Sequence, residues 1–374
     1  GADDLDLRLF ENQYPTPKGM SYNSYLIRAG KIAVADTIDV RCTDRWLAHL
    51  DEELGAEQPD YLIVHHMEPD HSANIEVFME RYPKAVLVAT AKAIAMLPQF
   101  FGGNKWPDRV LAVKENDTLD LDGLTLRFIL APMIHWPEVM MTYIPELKTL
   151  LSADAFGKFG ANEFEDDWVS EARRYYINIV GKYGTQVQTL LRKVSSLDID
   201  TIMPLHGPVL DGNLSNYIGL YDTWSSYRPE TEGVLVAYAS VYGGTAECAA
   251  RLADILRGRG VETVLFDLCR GDMSEAVGQA FRMSRMVLAT VTYDGGVFTP
   301  MVDFINHLAA KTYRGRKVGF IENGSWAPVA ARMMMKQMEP MRDIEFVAPF
   351  VTIRSRMDEN TITQLEALAD AILA

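Results

Sequence analysis

Tyr61-Leu62-Ile63-Val64-His65-His66-Met67-Glu68-Pro69-Asp70-His71 is the stretch on which the reading of this chain turns. Tyr61–Val64 reads as a short buried β-strand, and it runs directly into three histidines and two carboxylates. A strand that ends this way delivers several ligand-type side chains to one point at the rim of a sheet. Read as H-x-E-x-D-H, the cluster offers His66, Glu68, Asp70 and His71. His65 falls out of that register, because neighbours on a strand point to opposite faces, and it reads as structural. The chain has 7 histidines. His49 and His307 fall in predicted helices and carry no assigned role. His135, in Pro132-Met133-Ile134-His135-Trp136, and His206, in Met203-Pro204-Leu205-His206-Gly207, sit at predicted strand ends in turns. Asp154 likewise follows the apolar run Leu150-Leu151-Ser152-Ala153. Seven such ligands suit two metal ions, three terminal ligands each, with Asp154 as the shared carboxylate because its two oxygens can bond both ions. Trp136, beside a ligand, reads as packing or as a wall that keeps the pocket dry.

The 374 residues are a prior for two or three domains. Lys plus Arg is 36 and Asp plus Glu is 51, a net −15, with 48% apolar and 23% charged residues, which is an ordinary globular balance. That charge repels phosphate backbones and anionic membranes, and no basic run offsets it, so nucleic acid and membrane partners are not expected. No eighteen-residue apolar stretch exists, and Gly1-Ala2-Asp3-Asp4 is acidic where an export signal is basic, so a soluble, cytoplasmic protein is expected. Cys42, Cys248 and Cys269 form no CxxC pair, so metal chemistry must come from histidines and carboxylates.

Two rhythms divide the chain. The first two thirds read as an α+β region of short strands joined by many hairpins, with occasional helices, and with two helices between Trp168 and Ser196 interrupted near Gly181–Gly184. Asp222–Gly233 is polar and turn-rich and is the expected linker, giving domains 1–228 and 233–374. Beyond it, five apolar strands alternate with amphipathic helices, the pattern of a parallel sheet covered on both faces.

The second domain opens with strand Val234–Ala239, then Ser240-Val241-Tyr242-Gly243-Gly244-Thr245, then a helix. Glycines let backbone N–H groups approach a phosphate, the hydroxyls add donors, and the helix N-terminus adds its positive end. The loop carries no Lys or Arg, which suits a monophosphate such as that of FMN. Two later loops, Thr292-Tyr293-Asp294-Gly295-Gly296 and Asn323-Gly324-Ser325-Trp326, follow strands three and four. In a doubly wound sheet of order 2-1-3-4-5 all three open on one edge. Tyr293 and Trp326 are candidates to flank a flavin ring.

The first domain resembles the metallo-β-lactamase αββα sandwich, whose zinc hydrolases carry H-x-H-x-D-H, with Glu68 in place of the second histidine. A carboxylate there makes the site harder and favours iron over zinc. That departure, followed by His135, Asp154 and His206 and then by an α/β flavodoxin-like doubly wound sheet, resembles the flavodiiron proteins over essentially the whole chain. The resemblance implies one iron on His66, Glu68 and His135, a second on Asp70, His71 and His206, and Asp154 bridging. It further implies an oxidoreductase that passes electrons from FMN to the two irons and reduces O2 to water or NO to N2O. A head-to-tail homodimer, or a dimer of dimers, would bring the FMN of one subunit to the irons of another. The electron donor would be separate: rubredoxin, another reductase or a reduced deazaflavin. Two other readings stand beside this one: a binuclear zinc hydrolase with a fused flavodoxin domain, and an electron-transfer protein with a degenerate lactamase domain.

Overall fold

The computed structural model describes residues 1–164 and 167–374. Two compact units emerge, Gly1–Asp222 and Thr223–Ala374.

In the first unit, strands Tyr25–Arg28, Ile32–Ala35, Tyr61–Ile63, Val86–Thr90 and Val110–Val113 form a five-stranded sheet. Thr118–Asp120, Thr125–Leu130, Met140–Ile144, Thr149–Leu151, Thr201–Met203 and Leu210–Asp211 form a six-stranded one. Ala33, Ile63 and Val88 of one sheet pack on Leu126, Phe128 and Met140 of the other. Each large side chain buried in this way contributes about 1.5–3 kcal/mol. The expectation of many hairpins is corrected for the first sheet: only its first pair is antiparallel, and the next three pairs are parallel. Parallel pairing requires crossovers, and the helices Thr43–Leu54, Ile75–Arg81 and Ala91–Phe101 supply them. Trp46, Leu50 and Leu54, spaced four apart, bury one stripe of the first of these. Thr90 caps the third, its Oγ1 accepting the Ala93 N–H, and Gly102 ends it in the left-handed region. The segment from Trp168 is helical to Val194, with a widened turn at Tyr176–Val180 and a tight one at Gly181–Tyr183.

The second unit is a parallel sheet with strands Thr263–Asp267, Thr231–Ala239, Met283–Tyr293, Arg316–Asn323 and Ile344–Phe346 side by side, the 2-1-3-4-5 order the sequence predicts. One face packs on helices Gly244–Gly258 and Glu359–Leu373 through Val234, Val236, Leu252, Leu256, Leu365 and Ile372. The fifth strand is broken: Val351–Ile353 pairs separately with the far end of the fourth. The linker is shorter than Asp222–Gly233. Leu214–Ser225 is a helix and a strand begins at Thr231, leaving residues 226–230. Polarity misled here, because this segment is tied down: Arg316 Nη1 donates to the Tyr227 carbonyl at 2.8 Å and Arg314 stacks on the Tyr227 ring at 3.9 Å.

Candidate metal centre and phosphate loops

The turn after Tyr61–Ile63 leads into the short helix Pro69–Ser72. Proline at its first position removes an N–H that would lack a partner and lets the helix start immediately after Glu68. That geometry aims Glu68 and then Asp70 and His71 into one space. His135 comes from the loop before Met140–Ile144, Asp154 from the turn after Thr149–Leu151, and His206 from the turn after Thr201–Met203. Gly207, at φ +83°, turns the chain away directly after His206, and a Cβ there would stand 2.8 Å from Lys158 Cγ.

The structure brings all seven predicted side chains into two adjoining groups. Ligand atoms of His66, Glu68, His135 and Asp154 lie within 4.8 Å of one another, as do those of Asp70, His71 and His206. Asp154 divides its oxygens between the groups. Oδ2 is 3.1 Å from His135 Nε2 and 3.4 Å from His66 Nε2, while Oδ1 is 3.6 Å from His71 Nε2.

The donor set fits a pair of cations. Three carboxylates converge in a buried space, and each would cost several kcal/mol there without compensating charge. Among the described residues, none donates a hydrogen bond to either Asp70 oxygen or to Asp154 Oδ1, although Asp70 Oδ2 lies 3.2 Å from His206 Nε2. Burial opposes ionisation of Glu68 and Asp154, yet the facing histidines hold both below the usual carboxylate range. Burial likewise lowers His66 and His135, but Asp154, Glu68 and, for His66, Glu138 outweigh it. His66 ends well above its ordinary value and His135 is pushed up to about 9. Burial and His206 keep His71 low. The whole cluster is poised to attract positive charge.

His65 lies outside the groups, as its register requires. Its Nδ1 is 2.5 Å from Asp36 Oδ2, its Nε2 is 2.7 Å from Thr142 Oγ1, and its backbone N–H donates to Asp36 Oδ1 at 2.7 Å. Trp136 packs edge-on to His66, ring centroids 5.3 Å apart. His49 bonds the Gly1 carbonyl through Nδ1, and His307 stands 3.7 Å from Asp303.

Several neighbours escaped the sequence reading. Phe10, Tyr22 and Tyr175 set their rings 5.5–5.6 Å from that of His206. Glu11, on the tight hairpin between Leu9–Phe10 and Tyr14–Pro15, leaves much of its side chain in solvent. Its carboxyl turns toward Glu68, and burial of that carboxyl with the Glu68 charge pushes its pKa up to about 7. Glu138 bonds His66. None of these stands in a motif; only the three-dimensional return of distant segments reveals them.

In the second unit the three predicted loops share the carboxyl edge of the parallel strands. Ser240 Oγ accepts the Gly243 N–H at 3.1 Å, and Thr245 is buried in the first turn of the following helix. Val241 and Gly243 are exposed, Tyr242 and Trp326 are 100% and 82% exposed, and Tyr293, flanked by exposed Asp294 and Gly295, is 47% exposed. Thr292 Oγ1 accepts the N–H groups of Val329 and Ala330, which ties the Thr292–Gly296 loop to the one after it. A fourth segment, unforeseen, closes the cradle. Ser355 bonds Asn323 through its N–H and Ser325 through its hydroxyl. Its carbonyl oxygen would stand 2.1 Å from any Cβ on Gly244, so only glycine fits there. Gly324 and Gly296 complete the buried and half-buried parts of these turns.

Residues 20–207 match the family described as ODP family beta lactamase. The anaerobic nitric oxide reductase flavorubredoxin of Salmonella typhi is 28% identical over 352 residues, 91% of this chain and 73% of that protein. The flavodiiron protein of Giardia intestinalis superposes with a TM-score of 0.91 at 25% identity, covering 99% of this chain and 93% of its own. Rubredoxin oxygen:oxidoreductase of Desulfovibrio gigas shares the fold with a TM-score of 0.92 at 22% identity, covering 100% and 95%. Among the described residues, no helix is long and apolar enough to cross a membrane.

Proposed function

Since the chain belongs to the ODP family of β-lactamase-fold proteins and is a flavodiiron protein, hence an oxidoreductase, we propose that it takes electrons on FMN and uses them at a diiron centre to reduce O2 to water or NO to N2O. The observation that supports this reading is Asp154 lying between two ligand groups, one buried and one half-buried, the latter holding Glu68 where a zinc hydrolase has histidine.

His66, Glu68 and His135 would hold one iron, Asp70, His71 and His206 the other, and Asp154 both. Reduced iron supplies the capacity to bind and activate a diatomic gas. The remaining chemistry belongs to the chain. His206 Nδ1 donates to the Ser21 carbonyl at 2.7 Å, which fixes the ring and leaves Nε2 free to ligate. Phe10, Tyr22, Tyr175 and Trp136 wall the ligand histidines and exclude water. Ser240, Thr245 and the N–H groups of Gly243 and Gly244 would cradle the FMN phosphate. Tyr293 and Trp326 would flank its ring. A head-to-tail homodimer or dimer of dimers and a separate donor, such as rubredoxin, another reductase or a reduced deazaflavin, complete the proposed electron path in the cytoplasm.

Metal and flavin analysis of the purified protein tests the reading. Iron and FMN together are expected. Zinc without iron would favour the hydrolase instead.

A further inference from the structure

The two ligand groups differ in what stands behind their histidines. Glu138, 2% exposed, lies between His135 and strand Met140–Ile144. Its Oε1 is 3.1 Å from His66 Nδ1 and accepts the Met67 N–H at 2.9 Å. The Met67 N–H makes Oε1 an acceptor, and an ionised carboxylate can only accept, so facing it the His66 proton belongs on Nδ1. Thr90 Oγ1 donates to the Glu138 backbone carbonyl at 3.0 Å and pins the residue. Among the described residues Oε2 is buried with no hydrogen-bond partner, so the carboxylate acts chiefly on His66 and Met67. Among the described residues the second group has nothing comparable. His206 Nδ1 faces the neutral Ser21 carbonyl, and His71 Nδ1 is buried without a partner among the described residues.

We propose that Glu138 is a positioning residue that acts through His66: it locks the Nδ1–H tautomer, aims Nε2 at the metal, and makes that imidazole more electron-rich than those of His71 and His206. The iron held by His66, Glu68 and His135 is therefore the tighter bound of the two and the last to be reduced. A carboxylate behind a ligand histidine raises its basicity, and losing such a partner costs about 10–100-fold in metal affinity. This rests on the diiron reading above and assigns the two irons unequal roles within it.

Glu138→Gln keeps the shape and the acceptor while removing the charge. Redox titration of the iron-loaded protein, followed by the mixed-valent EPR signal, reads the outcome. The lower of the two midpoint potentials should rise while the upper stays, narrowing the window of the mixed-valent state. One iron should also become about 10–100-fold easier to remove by chelation, and the other should not. Potentials that both move, or that both stay with two irons bound, would overturn the proposal. Should the variant fail to hold iron, the zinc-loaded wild-type and variant proteins decide it by NMR of the histidine ring protons. A strongly downfield His66 Nδ1–H that moves upfield in Glu138→Gln, with the His206 proton unmoved, supports the proposal, and its absence from the wild type refutes it. A protein that never contains iron would speak against the diiron reading instead, so the two failures are distinct.

Discussion

His71 and His206 turn their Nε2 atoms toward each other at 3.0 Å in a space where both rings are fully buried. Two ring nitrogens at that distance need a cation or a proton between them, and the proton on His206 Nδ1 is already committed to Ser21. Asp70 and Asp154 bring unpartnered oxygens to the same space. The site is built to be neutralised by metal, and its supporting parts can be tested separately.

Asp154→Ala removes both oxygens that face the two groups. The variant should lose at least one of its two irons and all turnover, with FMN content unchanged. Asp154→Asn, which keeps a single acceptor oxygen, should fall between. Iron and flavin stoichiometry checks both.

Gly244→Ala places a methyl group 2.1 Å from the Ser355 carbonyl oxygen. Overpacking of this kind costs about 1–3 kcal/mol, and if it falls on the cradle the FMN affinity drops roughly 5- to 150-fold. Fluorescence titration of the flavin-free protein measures this, and metal content should stay as in the wild type.

Thr90→Ala removes the helix cap to Ala93 and the bond that pins Glu138. A loss of about 1–3 kcal/mol in the unfolding of the first unit is expected, recovered largely by Thr90→Ser. Denaturant unfolding of the three proteins reads it.

Cys269 is exposed while Cys42 and Cys248 are buried, and burial pushes the Cys248 thiol up to about 12. At pH 8 the native protein should react with a thiol reagent once, rapidly, and the unfolded protein three times. Two or more fast reactions in the native state would contradict the packing around Cys248.

What the sequence disclosed was what is local. The run His66–His71 follows a strand, and the alternation of strands and helices after Val234 sets the parallel sheet, because both depend on neighbours in the chain. The parallel pairing of Ile32–Ala35, Tyr61–Ile63 and Val86–Thr90 was less legible, since short strands separated by helices look like strands separated by turns until the crossovers close. Glu138, Glu11 and Ser355 were not legible at all. Each reaches its partner from a distant or separate loop, Glu138 from 72 residues beyond His66 and Ser355 from 32 beyond Asn323. A carboxylate or serine in a loop carries no spacing that announces such a role.

In the proposed function, flavin and metal act in sequence on a gas. FMN reduced anaerobically in the iron-loaded protein should be reoxidised rapidly when O2 or NO, given separately, is mixed in. The metal-free protein, and Asp154→Ala, should reoxidise far more slowly with the same gas. Equal rates of reoxidation with and without iron, for both gases, would show that the metal takes no part in the reaction.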